Sequence, residues 1–262
     1  ELGLLRIGAD YLCLSGERTL AVAEELYARG LITYPRTHST KYPSNLDVVG
    51  TLSLLTTEQT DFAPLARWLL LAPPPVPRRG EASGEHPPIL PVGRVSRKEV
   101  EASCGMHGWH VYEAVCVHFL ASLFPDAVYQ EKRLQAKLDN ASHTFEFATT
   151  WHKILDHGWM HAQPWRLKDL GMKLEGIEPE LDAYLPGDTI QNVQIDLTVG
   201  FTPPPKPFTE AELYSLLHAN GVGTDGSLPQ HLGAAVRSGY LEIRSAGGRV
   251  IGDVGNGEDR GA

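Results

Sequence analysis

The sequence predicts an α+β protein built from more than one unit. Two changes of pattern carry that reading. Apolar residues recur at three and four through residues 17–29, 59–72 and 109–124, the period of a helix packed on one face. After Ala127 the period drops to two, as in half-buried strands, and proline-rich stretches at 73–77 and 203–207 punctuate the chain.

Residues 17–29 place Leu20, Ala23, Leu26 and Tyr27 on one helical face, with Ser15 or Gly16 as cap and Gly30 as stop. Residues 31–34 read as a short extended piece. Pro35 ends it and steers Tyr34 away from helical dihedrals. In 59–72, Phe62, Leu65, Leu69 and Leu70 form the apolar face. Residues 73–97 are a connection rich in Pro, Gly and Arg, holding Glu85-His86-Pro87-Pro88-Ile89. Helix 109–124 carries Val111, Val115, His118, Phe119 and Ser122, and Pro125 closes it. Strands are predicted at 128–138 and 144–149 around an Asp139-Asn140 turn, and again at 189–199. The prolines of 203–207 make a stiff linker. Thr209 and Glu212 then form a capping-box pattern that opens a helix running to Asn220 and stopped by Gly221. A second helix at 229–238 and a strand beginning at 240–244 complete a winged-helix-like order. The tail, 252–262, is polar and frayed. No internal repeat is visible.

With 262 residues, 42% hydrophobic and 21% charged, the chain can fill one large core or two smaller ones and is not disordered in composition. No apolar run approaches membrane-span length, and the first residues do not read as a signal peptide. Cys13, Cys104 and Cys116 form no CxxC pair and read as reduced thiols of an intracellular protein. A net charge of −9 argues against a diffuse basic binding surface, but leaves room for a narrow strand groove lined by a few cations. Arg78, Arg79, Arg94, Arg97 and Lys98 make residues 76–100 locally basic, either a solvated loop or a strip facing a nucleic acid.

The chemistry concentrates in Gly30-Leu31-Ile32-Thr33-Tyr34-Pro35-Arg36-Thr37-His38-Ser39. A tyrosine that attacks phosphorus needs access, a route for its proton and positive charge near the phosphate oxygens. In an extended chain Arg36 lies on the same side as Tyr34, where a guanidinium can grip phosphate and favour the phenolate. Thr33, Thr37, Ser39 and Thr40 supply further donors. An isolated Tyr-x-Arg reads as a half-buried strand tyrosine beside a surface arginine.

The longer string, residues 26–37, resembles the active-site signature of type IA DNA topoisomerases in its topoisomerase III version, as do Lys41-Tyr42-Pro43 and the preceding helix. Further along, His86-Pro87-Pro88-Ile89-Leu90-Pro91 resembles the family's His-x-x-Ile-x-Pro segment. The stretch 112–129 resembles the helix that follows. Gly221-Val222-Gly223-Thr224-Asp225-Gly226-Ser227 resembles the glycine-rich turn beside the bound strand. The likeness is weakest over 130–200.

The resemblance implies part of a toroidal core: a helical tyrosine domain over 1–128, a β-rich arch segment over 129–200 and a strand-binding, winged-helix-like segment over 201–262. It implies cleavage and resealing of one DNA strand through a 5′-phosphotyrosine, without ATP, for strand passage and relaxation of negative supercoils. Tyr34 would be the nucleophile, with Arg36 and His86 assisting at the phosphate. Thr37, His38, Lys41, Thr224 and Ser227 would contact the strand. The partner implied is single-stranded DNA, or RNA, with an accessory protein and no membrane, and the location the nucleus, with the cytoplasm as the alternative. Magnesium is implied through the family's Toprim domain, which lies upstream of this stretch in the family. No Asp-x-Asp-x-Glu occurs here, and Asp47, Asp182 and Asp188 read as solvated loop residues. With Glu1 as the first residue, the chain is expected to be a fragment that binds no metal and turns over only with that domain. His38 stands where the family usually has an acidic residue, and Val117 where relatives often carry a basic one.

Two other readings compete. One is a non-catalytic relative that binds single strands or partners. The other is a generic winged-helix reader, which explains only 201–250 and lacks a basic recognition helix, since 229–238 offers Arg237 alone.

Overall fold

The computed structural model describes residues 1–56, 60–71, 77, 80–81, 86–139, 142–170, 183–191, 193–223 and 226–244, the side chains of 168 and 169 excepted. The chain divides into two units: Glu1–Phe119 together with the chain from Phe208 onward, and Leu120–Pro207. The architecture is α+β, helices with one small antiparallel sheet.

In the first unit α1 (Leu2–Tyr11) and α2 (Gly16–Ala28) pack together, and α6 (Glu210–Ala219) and α7 (Leu228–Arg237) close over them. Leu5, Leu20, Tyr214, Leu228 and Leu232 form the core between these helices. Beside them lie α3 (Val48–Leu55), packed on α4 (Ala63–Leu71), and α5 (Arg97–Leu123). Phe62, just before α4, stacks on Trp109 of α5 with ring centroids 6.1 Å apart. Two helical stretches make up α5, joined at Gly105, whose φ of +72° breaks the helical path. The predicted helix at 109–124 is the second stretch.

Local chemistry explains the boundaries. Ser15 caps α2 by accepting the Arg18 amide at 3.3 Å. At the other end Gly30 sits at φ +71°, and its amide reaches Tyr27 O while the Leu31 amide reaches Leu26 O. That is a Schellman stop, and it turns the chain back along α2. The capping box on α6 is present, with Thr209 and Glu212 exchanging side-chain-to-backbone hydrogen bonds. The Glu210 carboxylate accepts from both the Gly16 amide (2.9 Å) and the Tyr214 hydroxyl (2.5 Å), fastening α6 to the start of α2. A side chain at Gly16 would overlap that hydroxyl. Glu210→Ala strands two half-buried donors, so urea unfolding should show a loss of about 1–3 kcal/mol.

The second unit carries a hairpin of β1 (Val128–Asp139) and β2 (Thr144–Asp156), with Lys132 opposite Trp151 and Lys137 opposite Glu146. Two 3-10 helices follow, Gly158–His161 and Pro164–Leu170. Gly158 lies at φ +46° against the backbone of Asp126, where a β-carbon would not fit.

One predicted strand does not form. The described residues of 189–199 pair with nothing and have no sheet assignment. Their alternation is real, but Val193, Ile195, Leu197 and Val199 are exposed. Alternation makes a strand only where another strand and a core receive it. Among the described residues, 240–244 carry a single bridge position at Arg244, and any continuation of the strand expected to begin there lies outside them. In the other direction, α1, α3 and both 3-10 helices were not predicted. Asp47, read as a solvated loop residue, is the N-cap of α3, accepting the Gly50 amide at 2.8 Å. Arg78, Arg79, Glu85, Asn140, Asp182, Thr224, Asp225 and the tail at 252–262 lie outside the described residues. Among the described residues no helix is long and apolar enough to cross a membrane.

Candidate active site around Tyr34

After the stop at Gly30 the chain is extended, as predicted, and finds a partner in the residues around Pro91. Ile32 bridges Pro91 in antiparallel fashion. The Thr33 amide donates to Leu90 O at 2.9 Å, and the Val92 amide to Leu31 O at 3.0 Å. Gly93 allows this approach, because a β-carbon there would crowd Gly30 O and Leu31. Pro35 is buried, and Tyr34 before it is half-buried.

The Tyr34 ring lies between two neighbours. Tyr27, from the last turns of α2, meets it edge-on with centroids 5.3 Å apart. His86 tilts against it at 4.6 Å. His86 is exposed, so the pair opens to solvent rather than into the core. Two threonines hold the histidine segment in place. The Thr33 hydroxyl donates to Pro88 O (2.9 Å) and accepts the Leu90 amide (2.8 Å), and the Thr37 hydroxyl donates to His86 O (3.1 Å).

This alters the role expected of the hydroxyl residues. Thr37 is buried, and its oxygen also accepts the Ser39 amide at 3.1 Å. Thr40 binds the Glu81 backbone through its hydroxyl. Backbone groups of a loop packed against another loop need partners, and these hydroxyls provide them. In this arrangement Thr33 and Thr37 position residues 86–90, and Thr40 holds Glu81.

Arg36 is the most heavily engaged side chain of the site. Its Nε donates to Glu24 Oε1 at 2.6 Å, and Nη2 lies 2.5 Å from the same oxygen. Its Nη1 donates to Gly226 O at 2.8 Å. The hydrogen bond to Glu24 raises the guanidinium above its ordinary pKa. Burial opposes this, and charge on Glu24, Tyr34 and Glu1 adds to it. The Gly226 amide donates to the Glu1 carboxylate at 2.9 Å. Burial pushes the Glu1 carboxyl up from its usual range. Gly226 is thus held on both sides, and the glycine-rich turn is drawn to the tyrosine segment across 190 residues of sequence.

Gly226 sits at φ +72°, and a β-carbon on it would fall inside the Arg36 guanidinium. Gly226→Ala therefore combines left-handed strain with displacement of Arg36. The expected result is a loss of about 1–3 kcal/mol in urea denaturation. A larger loss in Gly226→Val would match the bulk it adds.

The remaining expected residues are spread more widely. Ser227, half-buried, is the N-cap position of α7, next to Gly226. The His38 ring lies 5.7 Å from that of His218 on α6. Lys41 is exposed at the rim of an open cavity of about 480 Å³ that also involves Tyr42 and Pro43. Glu24 was not singled out in the sequence. Its signal was nonetheless there, since a chain that reverses at Gly30 runs back beside α2 and carries Arg36 toward it. Among the described residues no cluster of three His, Cys, Asp or Glu could hold a metal ion.

Comparison with known proteins bears on this arrangement. The sequence profile of a family described as DNA topoisomerase matches residues 3–254. DNA topoisomerase 3-beta of Oryza sativa subsp. japonica is 31% identical over 250 residues, which is 95% of this chain and 27% of that protein. DNA topoisomerase 3-beta-1 of Homo sapiens is 30% identical over 242 residues, 92% of this chain and 26% of that protein. This chain thus spans about a quarter of the length of these curated relatives. Among solved structures, full-length topoisomerase I from Thermotoga maritima superposes with a TM-score of 0.61 at 20% identity, over 95% of this chain and 39% of that one. At that identity the likeness speaks for the fold.

Proposed function

This chain belongs to the DNA topoisomerase family, and we propose that it contributes the nucleophile, Tyr34, to a type IA reaction in which one DNA strand is cut and resealed. The observation that carries the reading is the open Tyr34 ring against His86 at 4.6 Å, with Arg36 two residues on.

The chemistry follows from those groups. The Tyr34 oxygen attacks the phosphorus of a strand phosphodiester. A bond forms from phosphorus to the tyrosine oxygen, and the bond to the 3′ oxygen of the neighbouring sugar breaks. The phosphate stays on the tyrosine as a 5′ link, the phenol gives up its proton to solvent, and the departing 3′ oxygen takes one up from solvent, so that the step balances. The new ester replaces the old one at similar energy, so the reverse attack by the 3′ hydroxyl reseals the strand without ATP. Arg36 stabilises charge on the phosphate oxygens, and His86 donates to them. The glycine-rich turn at Gly226 and Ser227 holds the strand backbone beside the break.

Magnesium, which the family resemblance implies, does not fit the described residues, among which no His, Cys, Asp and Glu cluster could hold it. In the complete enzyme it would be held by other residues. The reading is tested by incubating labelled single-stranded DNA and magnesium with the full-length form of the protein, followed by denaturing electrophoresis. A covalent adduct whose labelled peptide contains Tyr34 is the supporting result. No adduct from the full-length protein would favour a relative that only binds single strands.

A further inference from the structure

Glu24 has no role in the reading above, yet its carboxylate contacts the guanidinium that the reading depends on. A guanidinium carries five N–H groups in one plane. Glu24 meets Arg36 along the Nε and Nη2 edge, and Gly226 O takes Nη1. Among the described residues this leaves one N–H on each Nη for phosphate oxygens. Glu24 therefore fixes the plane and the edge of the fork without using all of it.

The same turn of α2 fixes the nucleophile. Tyr27 is three residues after Glu24, on the same helical face, and its ring meets Tyr34 edge-on. One helix turn thus presents a carboxylate to Arg36 and an aromatic edge to Tyr34.

Two magnitudes argue against a purely structural pair. The side chains of Glu24 and Arg36 are 42% and 25% exposed, and ion pairs in such settings contribute about 0–1 kcal/mol to stability. A carboxylate beside a phosphate site also weakens strand binding by repulsion. Neither folding nor affinity accounts for a negative charge there, whereas orientation of the fork does.

We propose that Glu24 is a positioning residue that orients Arg36 toward the scissile phosphate. The proposal rests on the reading of Tyr34 and Arg36 given above. Glu24→Gln keeps an acceptor for Nε but loses the charge, whereas Glu24→Ala frees the fork. In the full-length protein with magnesium and a labelled single strand, the adduct rate is expected to fall about tenfold in Glu24→Gln and about a hundredfold in Glu24→Ala. Strand affinity should hold or tighten. In an Arg36→Ala background, Glu24→Gln should change the rate no further, because its effect runs through Arg36. An unchanged or faster rate in both single variants, a parallel loss of affinity, or a full additional loss in the Arg36→Ala background would each overturn it. Failure of the wild-type protein to form a Tyr34 adduct would instead remove the parent reading and this inference with it. A Tyr34 adduct indifferent to Glu24 removes this inference alone.

Discussion

Tyr34→Phe is expected to abolish the covalent DNA adduct while leaving the fold and strand binding in place. The substitution removes one oxygen and keeps the ring. Contacts to Tyr27 and His86 are ring contacts, so phenylalanine retains them. Tyr34 is half-buried and open on the His86 side, so its hydroxyl is not what holds the segment. Backbone bonds between 31–33 and 90–92 do that. Losing a nucleophile costs on the order of 10⁴-fold or more. In the adduct assay that means no band above background, with an unchanged melting temperature and strand affinity. An adduct that survives Tyr34→Phe would remove Tyr34 from the mechanism.

The second large effect is expected at Arg36. Arg36→Ala should lower the adduct rate about 10²- to 10³-fold, the usual range for losing a donor aimed at developing charge. Arg36→Lys should recover little of it. An ammonium keeps the charge, but it has no planar fork to hold Glu24 along one edge and the Gly226 carbonyl on another. Salt dependence gives a second measure. If Arg36 neutralises one phosphate, the slope of log affinity against log salt should become shallower by about 0.7 in Arg36→Ala. An unchanged slope would mean that Arg36 serves only to anchor the turn.

Much of this site was legible because it is local. The Ser15 cap, the Gly30 stop and the turn of Tyr34 into extended backbone before Pro35 all follow from neighbours within a few residues, as does the Thr209–Glu212 box. What was not legible is long-range. Gly226 meets Arg36 from 190 residues away, and nothing in the spacing encodes that meeting, whereas Glu24, 12 residues back, is reached through the reversal at Gly30. The partners of Thr33 and Thr37 are likewise beyond local reading, since they are carbonyls of a distant loop. The strand expected at 189–199 shows the converse failure, in which a local pattern lacks the long-range partner that would make it structure. Helix α3 could have been found, since Asp47 before an apolar run is a start signal.

The order in which the core residues occur has a consequence for biosynthesis. Leu5 and Leu20 share their core with Tyr214, Leu228 and Leu232, and about 190 residues, the whole second unit among them, separate Leu20 from Tyr214. A nascent chain must therefore carry its first two helices without their covering pair until the ribosome has passed the intervening stretch. At typical elongation rates that delay is on the order of 10–40 s. Through that interval the apolar faces of α1 and α2 are exposed to other chains, and chaperone shielding would matter most then. Closing so long a loop also makes completion of the first unit a late and slow event.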